Sequence, residues 1–191
     1  LGILMVQGLV NSFGTAVMAA FAAAVKIDAF AYMPVQDFGN AFSTFIAQNY
    51  GAGKKERIRA GLKGAVITAA VFGILVSAVV WIGARQLMLI FVNAGETEII
   101  SEGVRYLHIE GAFYCGIGCL FLLYGLYRGI GKPGMSVVLT VISLGTRVAL
   151  AYLLSAIPSI GVAGIWWSVP IGWGLADLVG LAYYIKKKAA A

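Results

Sequence analysis

Long apolar runs separated by short polar interruptions dominate the chain. The runs are continuous rather than alternating, and in hydrocarbon only helices or closed barrels satisfy their own backbone, so the pattern predicts transmembrane helices and no strands. Leu1–Asn11 is the first apolar segment. It is too short to cross a core of about 30 Å, which needs roughly 20 residues. It also lacks the basic flank of a signal peptide, so it reads as the remainder of a helix in a longer chain. Five full spans follow, near Thr15–Gln48, Ala60–Phe91, Val104–Tyr127, Met135–Ala156 and Val162–Ile185. Pro34 should kink the first of these.

The interruptions alternate in charge. The one after Gln48 holds Lys54, Lys55, Arg57, Arg59 and Lys63. The one after Tyr127 holds Arg128 and Lys132, and the C-terminus holds Lys186, Lys187 and Lys188. Between them lie "NAGETEIISEG", acidic through Glu96, Glu98 and Glu102, and "AIPSIG", which is uncharged. Basic flanks stay on the cytoplasmic side, so this alternation predicts cytoplasmic basic turns and a cytoplasmic C-terminus. "YGAGK" (Tyr50–Lys54) and "YRGIGKP" (Tyr127–Pro133) look alike. Each offers an interfacial Tyr, glycines suited to a left-handed cap and a Lys at the negative end of a helix. Gly51-x-Gly53-Lys54 lacks the further Gly and the Ser or Thr of a phosphate-binding loop, so it is read as a cap.

Composition agrees with the pattern. The chain is 61% hydrophobic and only 12% charged, against about 25% charge in a soluble domain. The formal net charge of +6 comes mostly from basic residues clustered in short stretches between the apolar runs, which argues for a membrane protein and against nucleic acid as a partner. Cys115 and Cys119, four apart, share an apolar helix face as small packing residues. With one His in the chain, no metal site is expected. No nucleophile elbow, His-Glu-x-x-His motif or comparable constellation is present, so no enzyme is read here.

Ionisable residues inside a membrane are costly and point to function. Lys26, Asp28, Gln36, Asp37 and Asn40 fall in one span. At about 100° per residue, Lys26 and Asp37 share a face that Asn40 continues, whereas Asp28 points roughly the other way. Glu110 is the deepest charge of "RYLHIEGAFY", where His108 is either a proton-coupling group or a residue of the helix start. These residues are the candidates for a substrate or ion pathway. Arg147 and Asp177, on successive antiparallel helices, form a candidate buried ion pair. Mid-helix glycines would let the helices pack closely.

"AAFAAAVKIDAFAYMPVQDFGNAFSTFIAQNYGAGKKERI", with its Lys26-Ile27, Met33-Pro34 and Gln48-Asn49-x-Gly51-Ala52-Gly53 elements, resembles the second helix of the C-terminal lobe of multidrug and toxic compound extrusion (MATE) transporters. "LLYGLYRGIGKPGMS" is similar to the family's tenth helix and following loop. The resemblance spans nearly the whole chain. It implies an all-α membrane fold in which residues 1–191 are one six-helix lobe, from the latter part of helix seven to helix twelve, without the N-terminal lobe. It further implies efflux of small organic, often cationic, molecules in exchange for sodium ions or protons, with no cofactor, in a lipid bilayer expected to be a bacterial inner membrane. One family branch carries coupling carboxylates in helices seven and ten. Leu1–Asn11 and "FYCGIGCLF" contain none, which places this chain nearer the branches that couple through the N-terminal lobe. A lobe of a lipid-linked sugar flippase and a non-transporting helical module are the alternatives. A single lobe leaves its cavity face unpartnered, so this chain alone is not expected to transport.

Overall fold

The computed structural model describes residues 2–189; the expected segment start at Leu1 lies outside them, as do the side chains of Lys187 and Lys188. Seven helices follow one another: α1 (Gly2–Asn11), α2 (Thr15–Gly51), α3 (Lys55–Met88), α4 (Thr97–Gly111), α5 (Tyr114–Gly129), α6 (Pro133–Ser155) and α7 (Val162–Ala189). The described residues contain no strand. Four helices, α2, α3, α6 and α7, are long and apolar enough to cross a membrane, and α4 with α5 makes a fifth span bent by 50°. The span expected near Val104–Tyr127 is therefore two helices. The break falls at Ala112-Phe113, where no proline stands.

The basic turn after α2 is also shorter than the charge pattern suggests. α2 runs on to Gly51 and α3 begins at Lys55, so Lys55, Arg57, Arg59 and Lys63 sit on the first turns of a helix rather than in a loop. Both "YGAGK" and "YRGIGKP" close as the same cap. Gly53 and Gly131 take φ of 67° and 73°. The amides of Lys54 and Lys132 donate to the carbonyls of Asn49 and Tyr127, at 2.9 and 2.8 Å, while the two glycine amides donate to Tyr50 and Arg128. This double closure satisfies carbonyls that the helix end leaves unpaired, and only glycine takes the left-handed position without steric cost. Pro133 then opens α6 within its first turn, where its missing amide costs nothing.

α5 lies at the centre, packed on α2, α3, α6 and α7. Its crossing with α2 depends on glycine. A Cβ at Gly125 would stand 2.5 Å from the Gly39 carbonyl oxygen, and one at Gly129 would stand 2.8 Å from that of Ser43. α3 and α6 are peripheral: 22% and 17% of their apolar windows are buried, against 56% for α7. Ile74, Ile82, Val141 and Leu153 on their outer faces are exposed. In a bilayer these side chains face lipid, the only solvent that removes the penalty of so large an apolar surface. At the end opposite the basic turns, Phe21, Tyr106 and Trp166 cluster, with Phe21 stacked on Trp166 at 5.5 Å and Tyr106 edge-on to both. The Trp166 indole N–H donates to Glu102 at 2.7 Å, tying α7 to α4.

Candidate functional site

Three helices each present polar residues at helical spacing toward one interior space. α2 offers Asp28, Tyr32 and Gln36; α4 offers Tyr106 and Glu110; α6 offers Thr140, Ser143 and Arg147. Residues four apart lie on one face of a helix, so each set forms a stripe. The stripes enclose a cavity of about 480 Å³, closed from the other sides by apolar residues of α5 and by Trp173 of α7. Gln7 of α1 reaches its wall.

Asp28 and Glu110 are 5% and 2% exposed. The Tyr106 hydroxyl donates to Asp28 Oδ2 at 2.7 Å, and the Tyr114 hydroxyl donates to Oδ1. Two phenols thus compensate this carboxylate for lost hydration. Glu110 is placed beside Asp28, Tyr106 and Arg147, yet its Oε1 has no hydrogen-bond partner, and neither does Arg147 Nε. Asp28, Glu110 and Arg147 are the charged residues lining the cavity. When all three are ionised they leave one surplus negative charge in a desolvated space. Like charges held this way call for a proton or a cation. Among the described residues, no group of three or more His, Cys, Asp or Glu is placed to hold a metal ion.

The other sequence candidates lie elsewhere. Lys26 is exposed, with Nζ 5.6 Å from the centre of the Phe91 ring. Asp37 and Asn40 are exposed, and Asn40 accepts a hydrogen bond from Arg128 at 2.9 Å. The stripe from Lys26 to Asp37 therefore does not line this cavity; the opposite one, through Asp28, does. His108 lies against Trp81, Nε2 at 2.9 Å from its carbonyl oxygen. Because a carbonyl only accepts, that nitrogen carries a proton.

Arg147 and Asp177 do not form the expected ion pair: the described residues hold one salt bridge, between Arg105 and Glu102. α6 and α7 meet so closely at Gly172 that a Cβ there would stand 2.7 Å from the Ser143 carbonyl oxygen and 3.6 Å from the Arg147 amide nitrogen. Asp177 is five residues farther along α7, about 7.5 Å down the axis. It is buried facing Gly116 and Cys119 of α5, with Oδ1 unpartnered, while Arg147 turns into the cavity. The tyrosines that clamp Asp28 were not singled out from the sequence. No helical spacing marks them together, because Tyr114 lies beyond the break that follows Gly111.

The apolar exterior, with up to five helices or bent pairs long and apolar enough to cross a membrane, and the buried polar cavity define the class as a helical membrane protein. The MatE family model matches residues 2–153, and the chain belongs to the MatE family. It is 26% identical over 185 residues to "Probable multidrug resistance protein YpnP" of Bacillus subtilis, covering 96% of this chain and 40% of that protein. It is 28% identical over 143 residues to "Multidrug and toxin extrusion protein 1" of Danio rerio, covering 71% and 23%. The chain thus spans about 40% of the length of the first curated relatives it matches. Among solved structures, a MOP superfamily transporter from Pyrococcus furiosus superposes with a TM-score of 0.90 at 20% identity, over 99% of this chain and 42% of that one. The inward-facing form of a MATE multidrug resistance transporter superposes with a TM-score of 0.89, also at 20% identity, over 99% and 44%. These likenesses establish the fold, an all-helical lobe of the MATE type.

Proposed function

We propose that residues 1–191 are the C-terminal lobe of a secondary active multidrug exporter. It would exchange small organic, often cationic, compounds for protons or sodium ions by alternating access, together with an N-terminal lobe. The cavity of Asp28, Glu110 and Arg147 is the place in this lobe where a coupling ion or a cationic substrate group binds. The observation that carries this reading is Glu110 itself, buried beside Asp28 with its Oε1 lacking a partner. A proton or a monovalent cation supplies that partner in one state and leaves in another. Such an exchange is what couples an ion gradient to the rocking of two lobes. Names of relatives as multidrug resistance proteins support the substrate class.

Orientation follows from the basic turns. Lys55, Arg59 and Lys132 stand with Tyr50, Tyr183 and Tyr184 around one end of the bundle. That end is the cytoplasmic one, with the C-terminus on the same side of a bacterial inner membrane.

The test is efflux of a fluorescent organic cation by the full-length transporter carrying Glu110→Gln. Losing a charged interaction in a buried site should lower efflux about tenfold or more, and should flatten its dependence on the imposed proton or sodium gradient. Wild-type efflux with unchanged gradient dependence would remove Glu110 from the mechanism.

A further inference from the structure

At the basic end, α3, α5 and α7 part around a second hollow, of about 300 Å³. Lys55 and Arg59 enter it from α3, Lys132 from the turn after α5, and Tyr50, Tyr183 and Tyr184 complete the polar part of its rim. Lys132 Nζ is held 5.8 Å from the centre of the Tyr183 ring. The Tyr127 hydroxyl donates to the Gly180 carbonyl at 2.6 Å, which fixes α5 against α7 at this level. No carboxylate lines the hollow, and none of its three cations forms a salt bridge among the described residues. Three positive charges face one space that the described residues do not neutralise.

The hollow does not end at its polar rim. Leu126 and Tyr184 also belong to a groove of about 160 Å³ that continues between the same three helices. Its lining is apolar from Leu126 up to Cys115 on α5, with Leu62, Val66 and Ala70 on the α3 side. Cys115 and Leu126 are eleven residues apart, about 16 Å along the helix. That is about half the thickness of a bilayer core, the depth of one leaflet. Tyrosine at the junction suits the headgroup level, where a ring can be apolar at one end and wet at the other.

We propose that this composite is a binding site for one anionic phospholipid of the leaflet at the basic end. Its phosphate sits among Lys55, Arg59 and Lys132, and an acyl chain lies in the groove between α3, α5 and α7. A free anion would use only the hollow, and an uncharged lipid would use only the groove. The continuity of the two selects a molecule that has both parts. Basic pockets between membrane helices on the cytoplasmic side recognise anionic headgroups by this combination. The site is separate from the Asp28 cavity and stands or falls independently of the transport reading.

The experiment is native mass spectrometry of the full-length transporter, delipidated and titrated with dioleoyl phosphatidylglycerol, dioleoyl phosphatidylcholine or glycerol 3-phosphate. The wild type should retain one phosphatidylglycerol in preference to phosphatidylcholine, and glycerol 3-phosphate should not displace it. In Lys55→Gln/Arg59→Gln/Lys132→Gln the preference should fall by roughly a hundredfold, about fivefold per basic side chain. Ala70→Trp, which fills the groove, should weaken both lipids alike. Lys132→Gln alone should lose about fivefold, a readout that survives if the triple variant folds poorly. Asp28→Asn should bind lipid as the wild type does, whatever happens to its transport. Equal retention of the two lipids by the wild type would overturn the proposal. So would displacement by glycerol 3-phosphate, or unchanged preference in Lys132→Gln and the triple variant.

Discussion

Asp28 and Asp177 are both buried carboxylates on membrane-spanning helices, and they are built differently. Asp28 receives two tyrosine hydroxyls and shares a cavity with Glu110 and Arg147. Asp177 faces the glycine and cysteine of a packed helix surface, with one oxygen unpartnered. Compensation marks the first as a place where charge is meant to persist. With only a cysteine thiol beside it and Oδ1 unpartnered, the second is a place where charge is a cost. Intramembrane acids are functional candidates by default, but what separates these two is their partners rather than their depth.

The largest effect should come from removing the cation of the first site. Arg147→Met leaves Asp28 and Glu110 together without a counter-charge, which should destabilise the full-length protein by about 1–3 kcal/mol. The measurement is its melting temperature in detergent. Adding Glu110→Gln to Arg147→Met should restore much of the loss, because the surplus charge is then gone. Failure of the double variant to recover would show that Arg147 acts through packing. Asp28→Asn comes next. It preserves shape and removes the acceptor that both tyrosines address, so organic-cation efflux should fall about tenfold, with normal amounts of protein in the membrane. Efflux equal to wild type would erase the distinction between the two aspartates.

Asp177→Asn should move the other way. Neutralising a buried group without an ion-pair partner should raise stability by roughly 1 kcal/mol, read as a melting temperature a few degrees higher, with efflux unchanged. A lower melting temperature would mean that Asp177 has a counter-charge after all.

These differences also show what a linear reading can reach. The spans were legible because each needs a run of about 20 apolar residues, and the caps because Gly53 and Gly131 sit where only glycine is free to turn. The break between α4 and α5 was not. "GAFYCG" contains no proline, and its bend lies where α4 and α5 pack on α2 and α3. Within α2 the helical period correctly separated two polar stripes but could not say which faced inward. From the sequence alone, the stripe through Lys26, Asp37 and Asn40 and the one through Asp28 are both candidate cavity walls. Asp28 is on the inner side because Ala24, Ile27, Ala31 and Val35 bury that face of α2. Its clamp depends on residues 78 and 86 positions away, which no local pattern joins. For Arg147 and Asp177, adjacency of helices was right and level was not, since the close approach at Gly172 sets the stagger.

The smallest effect is the one expected of Asp37. This residue shares α2 with Asp28 but is exposed, nine positions along and on the face that the cavity does not use. Its charge is already solvated or faces whatever covers this lobe, so removing it deletes no compensated interaction within the lobe. Asp37→Asn should change efflux by less than about twofold, within the ordinary spread of surface substitutions. Measured beside Asp28→Asn in the same cells, it compares two acids of one helix that differ in burial and in hydrogen-bond partners. A tenfold loss in Asp37→Asn would place an essential contact on the exposed stripe and would move the centre of coupling away from the Asp28 cavity.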